Sequence, residues 1–243
     1  MLLNRLCAAA FLLLLLSSAV AQVVPSGTAL PVMLSSTLDA RHDTPGKVIS
    51  GKLMQNVPLP DGGKIPKGAK VVGHIVSVRP VSAGSPSQLA LKFDQIQYDD
   101  RRVPISVHLR ALASMFEVYE AWMPTNAWDD YGTSPSDWNT VQIGGAGVYR
   151  GSGKVMEDDQ VVGTTTDYGA VTAKLTAAPA RGCTGTSDSG QSLWTFSPWA
   201  CGTYGLDDLK ILHSGKSTGE IELQSNNDVH VRAGSGWLLR VNP

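Results

Sequence analysis

Cysteine is scarce in this chain: three among 243 residues, at Cys7, Cys183 and Cys201. Neither Cys183 nor Cys201 belongs to a Cys-x-x-Cys pair and no histidine stands near them, so the spacing of a zinc site is absent. Charge of one sign is lacking too. The 20 Lys and Arg balance 21 Asp and Glu, for a net charge of −1, and no long run of either sign occurs. That removes bulk electrostatic capture of nucleic acid. Beyond the first residues, no apolar stretch reaches the roughly 20 residues of a membrane-spanning helix. Catalytic signatures are missing as well. Ser152 and Ser235 each lie in Gly-Ser-Gly without completing Gly-x-Ser-x-Gly, and read as flexible turns. Gly215-Lys216-Ser217 ends like a phosphate-binding loop, yet Lys210 stands where that loop's leading glycine belongs.

What is present begins with an export signal. Arg5 supplies a positive charge, Leu6 to Leu16 is apolar, and Ser17-Ser18-Ala19-Val20-Ala21 places small side chains before Gln22. This three-part pattern predicts a secretory signal peptide over residues 1–21, cleaved between Ala21 and Gln22. An uncleaved anchor is the rival reading, for which the apolar run is short. Cys7 leaves with the signal. Cys183 and Cys201 remain as an even pair, which suits an oxidising compartment and predicts a disulfide that stabilises the fold by about 3 kcal/mol. The expected destination is the periplasm, the outer membrane's surface or the extracellular space.

The mature chain reads as mainly β. Leu30, Val32 and Leu34 alternate with other residues, and Val48 to Leu53 follows the Pro45-Gly46 turn. A strand from Ala69 to Val78 is apolar on both faces, which predicts a central strand or one wall of a barrel. Leu89, Leu91 and Phe93, then Val103, Ile105, Val107 and Leu109, keep the period of two. Asp99-Asp100-Arg101 reads as the hairpin turn between them. At Ala111 the spacing changes: Leu112, Met115, Phe116, Tyr119 and Met123 recur helically, and Pro124 ends a predicted helix over 111–122. Residues up to 205 are rich in Gly, Ser, Thr and Trp, with weak strands at Val141 to Ile143, Val148 to Tyr149, Val161 to Thr166 and Val171 to Leu175. Glu220 to Gln224 and Val229 to Arg232 flank Ser225-Asn226-Asn227-Asp228 as a hairpin, and Trp237 to Val241 is an apolar last strand. The expected organisation is a signal peptide (1–21), the first part of a small β-barrel (22–110), an insertion with a short helix and a disulfide loop (111–205), and C-terminal strands that complete the barrel (206–243).

His74, His108 and His230 alternate with strand valines or isoleucines and read as strand-face residues, with no metal expected. Asp129-Asp130, Glu157-Asp158-Asp159 and Asp207-Asp208 lack the spaced Asp-x-Asp-x-Asp-Gly pattern of a calcium loop. The best binding candidate is the aromatic loop after the helix. Trp122, Trp128 and Trp138 with Tyr131, beside Asp129 and Asp130, combine ring faces with hydrogen-bonding acids. They could stack on sugars or anchor a protein contact; equally, they could cover the barrel.

The N-terminal phrase Gly27-Thr28-x-Leu30-Pro31-Val32-x-Leu34, then Pro45-Gly46, Val57, and Ile65-Pro66-Lys67-Gly68-Ala69-Lys70-Val71-x-Gly73 resembles the TrbI-like C-terminal domain of conjugation and type IV secretion systems. The likeness covers about residues 27–110 and, more weakly, 219–243. It implies a β-barrel with a helix inserted between its halves, assembly into rings at the outer membrane, and no catalytic residues or cofactor. The family's cytoplasmic segment, membrane helix and Pro-rich linker are replaced here by the signal peptide. The expectation is therefore an exported, non-enzymatic bacterial envelope protein that acts by protein contacts or self-association. The alternatives are a secreted binding module for polysaccharide or another surface, and an unrecognised hydrolase.

Overall fold

The computed structural model describes residues 24–122, 139–145, 147–151, 153–157, 160–165, 171–173, 193, 195–197, 200–214 and 218–243. Strands dominate. The first part of the chain supplies β1 (Ala29–Leu34), β2 (Leu38–Asp39), β3 (Val48–Leu53), β4 (Val57–Pro58), β5 (Lys64–Ile65), β6 (Lys70–Arg79), β7 (Ser87–Tyr98), β8 (Arg101–Pro104) and β9 (Val107–Ala113). After the helix α1 (Met115–Trp122) come β10 (Asn139–Val141), β11 (Gly147–Gly151), β12 (Lys154–Glu157), β13 (Gln160–Thr165) and β14 (Val171–Ala173). The C-terminal part adds β15 (Gly202–Tyr204), β16 (Leu209–Ser214), β17 (Glu220–Ser225), β18 (His230–Val231) and β19 (Gly236–Val241).

Nine strands follow one another in the order β15-β9-β19-β1-β3-β6-β7-β17-β16, with β8 paired to the far half of β7. The sheet curls into a nearly closed barrel built from the N- and C-terminal strands, as the period-two segments predict. Its two free edges, β15 and β16, are neighbours in sequence, and Thr203 Oγ1 donates to the Leu209 carbonyl across the seam at 3.2 Å. The strands β10 to β14 form a separate antiparallel meander in sequence order.

Alternation decides what fills the barrel. Leu30, Val32, Val71, Ile75, Leu89, Leu91, Phe93, Leu112, Leu223 and Leu239 point inward with the fully buried Trp237, whose ring meets Phe93 edge to face at 5.8 Å and 82°. That geometry suits the ring quadrupoles. The β6 strand is central, between β3 and β7, with Val71, Gly73 and Ile75 buried and Val72, His74 and Val76 half-buried on the outer face. Close approach explains one glycine here: a β-carbon at Gly73 would stand 1.9 Å from the Lys92 carbonyl oxygen, where the β6–β7 ladder shifts register.

Two sequence expectations are corrected. The helix begins at Met115, and 111–113 belong to β9, because Ala111-Leu112-Ala113 fits a strand equally well and gains a ladder with Trp237 and Leu238. The 220–232 hairpin does not form either. Here β17 lies between β7 and β16, while β18 crosses to pair with β2 through His230↔Asp39 and Val231↔Leu38. The Asn226-Asn227-Asp228 turn redirects the chain instead of reversing it.

Candidate functional site

The outer wall of the barrel carries a second apolar cluster. Ala111 and Ala113 of β9, Leu238 of β19 and Ala29 of β1 face outward and pack with Val118 and Ala121 of α1 and with Ile143, Leu193, Phe196 and Ala200. The helix is anchored at its start by Ser114, whose side chain accepts from the Glu117 amide at 3.3 Å and whose own amide donates to the Tyr204 carbonyl. That is N-capping of a helix emerging straight from a strand. Segment 195–197 runs beside Ile143, with Ile143 N donating to Thr195 O and Ser197 N to Ile143 O. At the helix end, Trp122 Nε1 donates to Thr195 Oγ1 at 2.9 Å.

With Val118 and Ala121 inward, the helix turns Met115, Phe116, Tyr119 and Trp122 outward, with Phe116 64 % and Tyr119 62 % exposed. These positions form an i, i+1, i+4, i+7 stripe of large apolar side chains on a helix packed from behind, an arrangement that helices seated in a partner's groove use. Glu117 and Glu120 are the charged residues of this helix, and none is basic. Of the aromatic set expected from sequence, Trp122 is placed in this stripe; Trp128, Asp129, Asp130, Tyr131 and Trp138 lie outside the described residues, as do Ala21, Gln22, Cys183 and Ser152. Cys201 follows Ala200 at the edge of the outer cluster, its amide donating to the Tyr204 hydroxyl at 3.1 Å.

A polar constellation gathers elsewhere, where β2 meets β18. The Asp39 carboxylate accepts from the Arg41 amide at 2.8 Å and faces His42 Nδ1 at 3.1 Å and His230 Nδ1 at 3.4 Å. The Arg41 amide, foremost, holds this carboxyl below its ordinary range. Asp228 pairs with Arg41 and accepts from the Val81 amide at 2.8 Å, which lowers its pKa in turn. Lys47 pairs with Asp43. His230 also borders an open groove of about 220 Å³ with Asp207, Asp208 and Asp228. Three of these groups are committed: Asp208 accepts from Asn227 at 2.9 Å, and Asp228 and His230 are held as described. Among the described residues, no three His, Cys, Asp or Glu side chains converge as a metal site.

The remaining histidines sit on strands, as their alternation predicts. His74 Nδ1 meets Asp94 at 2.8 Å on the outer face, and buried His108 Nδ1 meets Asn242 Oδ1 at 2.7 Å, while Asn242 Nδ2 donates to Ser106. Ser235 is buried in the turn that leads into β19, its carbonyl accepting from the Leu34 amide. No helix among the described residues is long and apolar enough to cross a membrane. The fold therefore defines a mainly β protein whose barrel carries a helical outer platform. No family model and no curated protein matches the chain.

Proposed function

We propose that this is an exported, non-enzymatic component of a bacterial cell envelope, related to the TrbI-like barrel module, that works by protein contact or assembly through the exposed face of α1. Residues 1–21 are removed on export, Cys183 and Cys201 close a disulfide, and the mature protein resides in the periplasm, at the outer membrane or outside the cell. The observation that carries the reading is the outward stripe Met115, Phe116, Tyr119 and Trp122 on a helix already fixed from behind. A monomer seldom leaves so many large apolar side chains together in water without a use.

The test pairs native fractionation with light scattering of the mature protein, alongside the variant Phe116→Ser/Tyr119→Ser. The expected result is a defined oligomer or retention with membranes that the double variant loses while its melting temperature stays within a few degrees. A wild-type protein that is monomeric and freely soluble in every fraction would remove the reading. The second reading, polysaccharide stacking on Trp128, Tyr131 and Trp138, predicts a tryptophan-fluorescence response to cell-wall polysaccharide.

A further inference from the structure

On the opposite side of the register lies a row of positive charge. Antiparallel pairing sets Lys52 of β3 opposite Lys70 of β6, Lys70 opposite Gln97 of β7, and Gln97 opposite Arg102 of β8. Directly opposed residues share a face. Their neighbours Leu53, Val71, Ile96 and Val103 fill the barrel, so the row lies on its outer wall. Four strands at about 4.8 Å spacing spread it over about 14 Å. Lys52, Lys70 and Arg102 are all exposed, and among the described residues no carboxylate forms an ion pair with any of them. Like charges placed face to face oppose folding, and the register forces Lys52 against Lys70.

Beside the row the wall opens into a groove of about 380 Å³, lined by Lys70, Gln97, Tyr98, Asp100, Arg101 and Arg102. Tyr98 shares the inward face of Ile96 and packs in the core behind the groove. The β7–β8 turn that bounds the groove is tight, with Asp99 and Asp100 both at positive φ. Cationic side chains and the Gln97 amide thus converge on one concave surface, against the carboxylate of Asp100.

We propose that this groove binds a soluble, phosphate-bearing small molecule, with Lys70 and Arg102 contacting phosphate oxygens, Gln97 donating to them, and Lys52 extending the field. A guanidinium can donate two parallel hydrogen bonds to one phosphate, which a lysine cannot. The groove suits a ligand of that size. Its walls lack the apolar side chains that a lipid surface would require.

Calorimetric titration of the mature protein with inorganic triphosphate tests this. The expected result is saturable one-to-one binding that weakens as salt rises, and at least about a tenfold loss of affinity in Lys52→Gln/Lys70→Gln/Arg102→Gln. That variant should melt at the wild-type temperature or above, since it removes a like-charge pair. Absence of saturable binding, or equal binding by the triple variant, overturns the site. Binding to vesicles of anionic phospholipid without binding of triphosphate overturns the soluble ligand.

Discussion

Gly236 of β19 leaves room for Val118 of α1: a β-carbon at 236 would stand 2.7 Å from a Val118 methyl and 3.0 Å from the Phe196 ring. The helix rests on the barrel at a point where the sheet offers no side chain. Gly236→Ala is therefore expected to push α1 off its seat and cost about 1–3 kcal/mol, as overpacking does. Urea denaturation should show the loss, and Val118→Ala in the same chain should recover part of it by clearing the methyl. Full stability in the single variant would mean that the platform is free to shift outward.

Inside the barrel, Trp237 is fully buried against Phe93, and its indole N–H has no hydrogen-bond partner among the described residues. Truncation and conservative replacement should consequently diverge. Trp237→Ala is expected to cost about 3–5 kcal/mol, whereas Trp237→Phe also removes an unmatched donor and should cost far less. Equal losses in the two variants would show that the N–H is satisfied in solution.

Acid should weaken the junction of β2 and β18. Asp39 and Asp228 both have folded pKa values below their ordinary ones, so their contribution is fully present above about pH 4 and is lost as pH falls through the folded values. Melting temperatures from pH 7 to pH 2 should decline on that limb. In Asp39→Asn/Asp228→Asn the decline should be shallower, with a lower plateau at neutral pH.

The turn Asp99-Asp100 joins β7 to β8 with φ of 46° and 60°. Two central residues at positive φ mark a type I′ hairpin, for which Asn-Gly is the preferred pair. Asp100→Gly should stabilise the protein by about 0.5–1 kcal/mol by relieving the left-handed strain. A melting temperature that falls instead would show that the Asp100 side chain contributes a contact of its own.

Most barrel strands were legible from their period of two: Leu89, Leu91 and Phe93 sort themselves onto one face without any knowledge of partners. Partner choice was not legible. Val229 to Arg232 looked like the return of a hairpin, since local sequence favours the nearest strand, yet His230 and Val231 pair with Asp39 and Leu38 far earlier in the chain. Ala111 to Ala113 was ambiguous because alanine fits either period and Leu112 could serve a helix stripe or a strand face. At the candidate sites, spacing grouped Met115, Phe116 and Tyr119 with Leu112 and Met123 as one helix face; that the first three stand exposed while Leu112 is buried in β9 was not legible. The alignment of Lys52, Lys70 and Arg102 could not, because it exists only once register across β3, β6, β7 and β8 is set.

The pairing of β1 with both β3 and β19 has a kinetic side. Strands β1, β3, β6, β7 and β8 pair in sequence order with their nearest barrel neighbours, so this half can assemble as it is made. Val32 meets Trp237 only after the intervening chain has appeared, and that long closure falls late. Until β19 arrives, β1 offers a bare apolar edge to any neighbouring strand. Synthesis and refolding therefore pass through a hazardous interval whose length is set by how quickly the last strand docks.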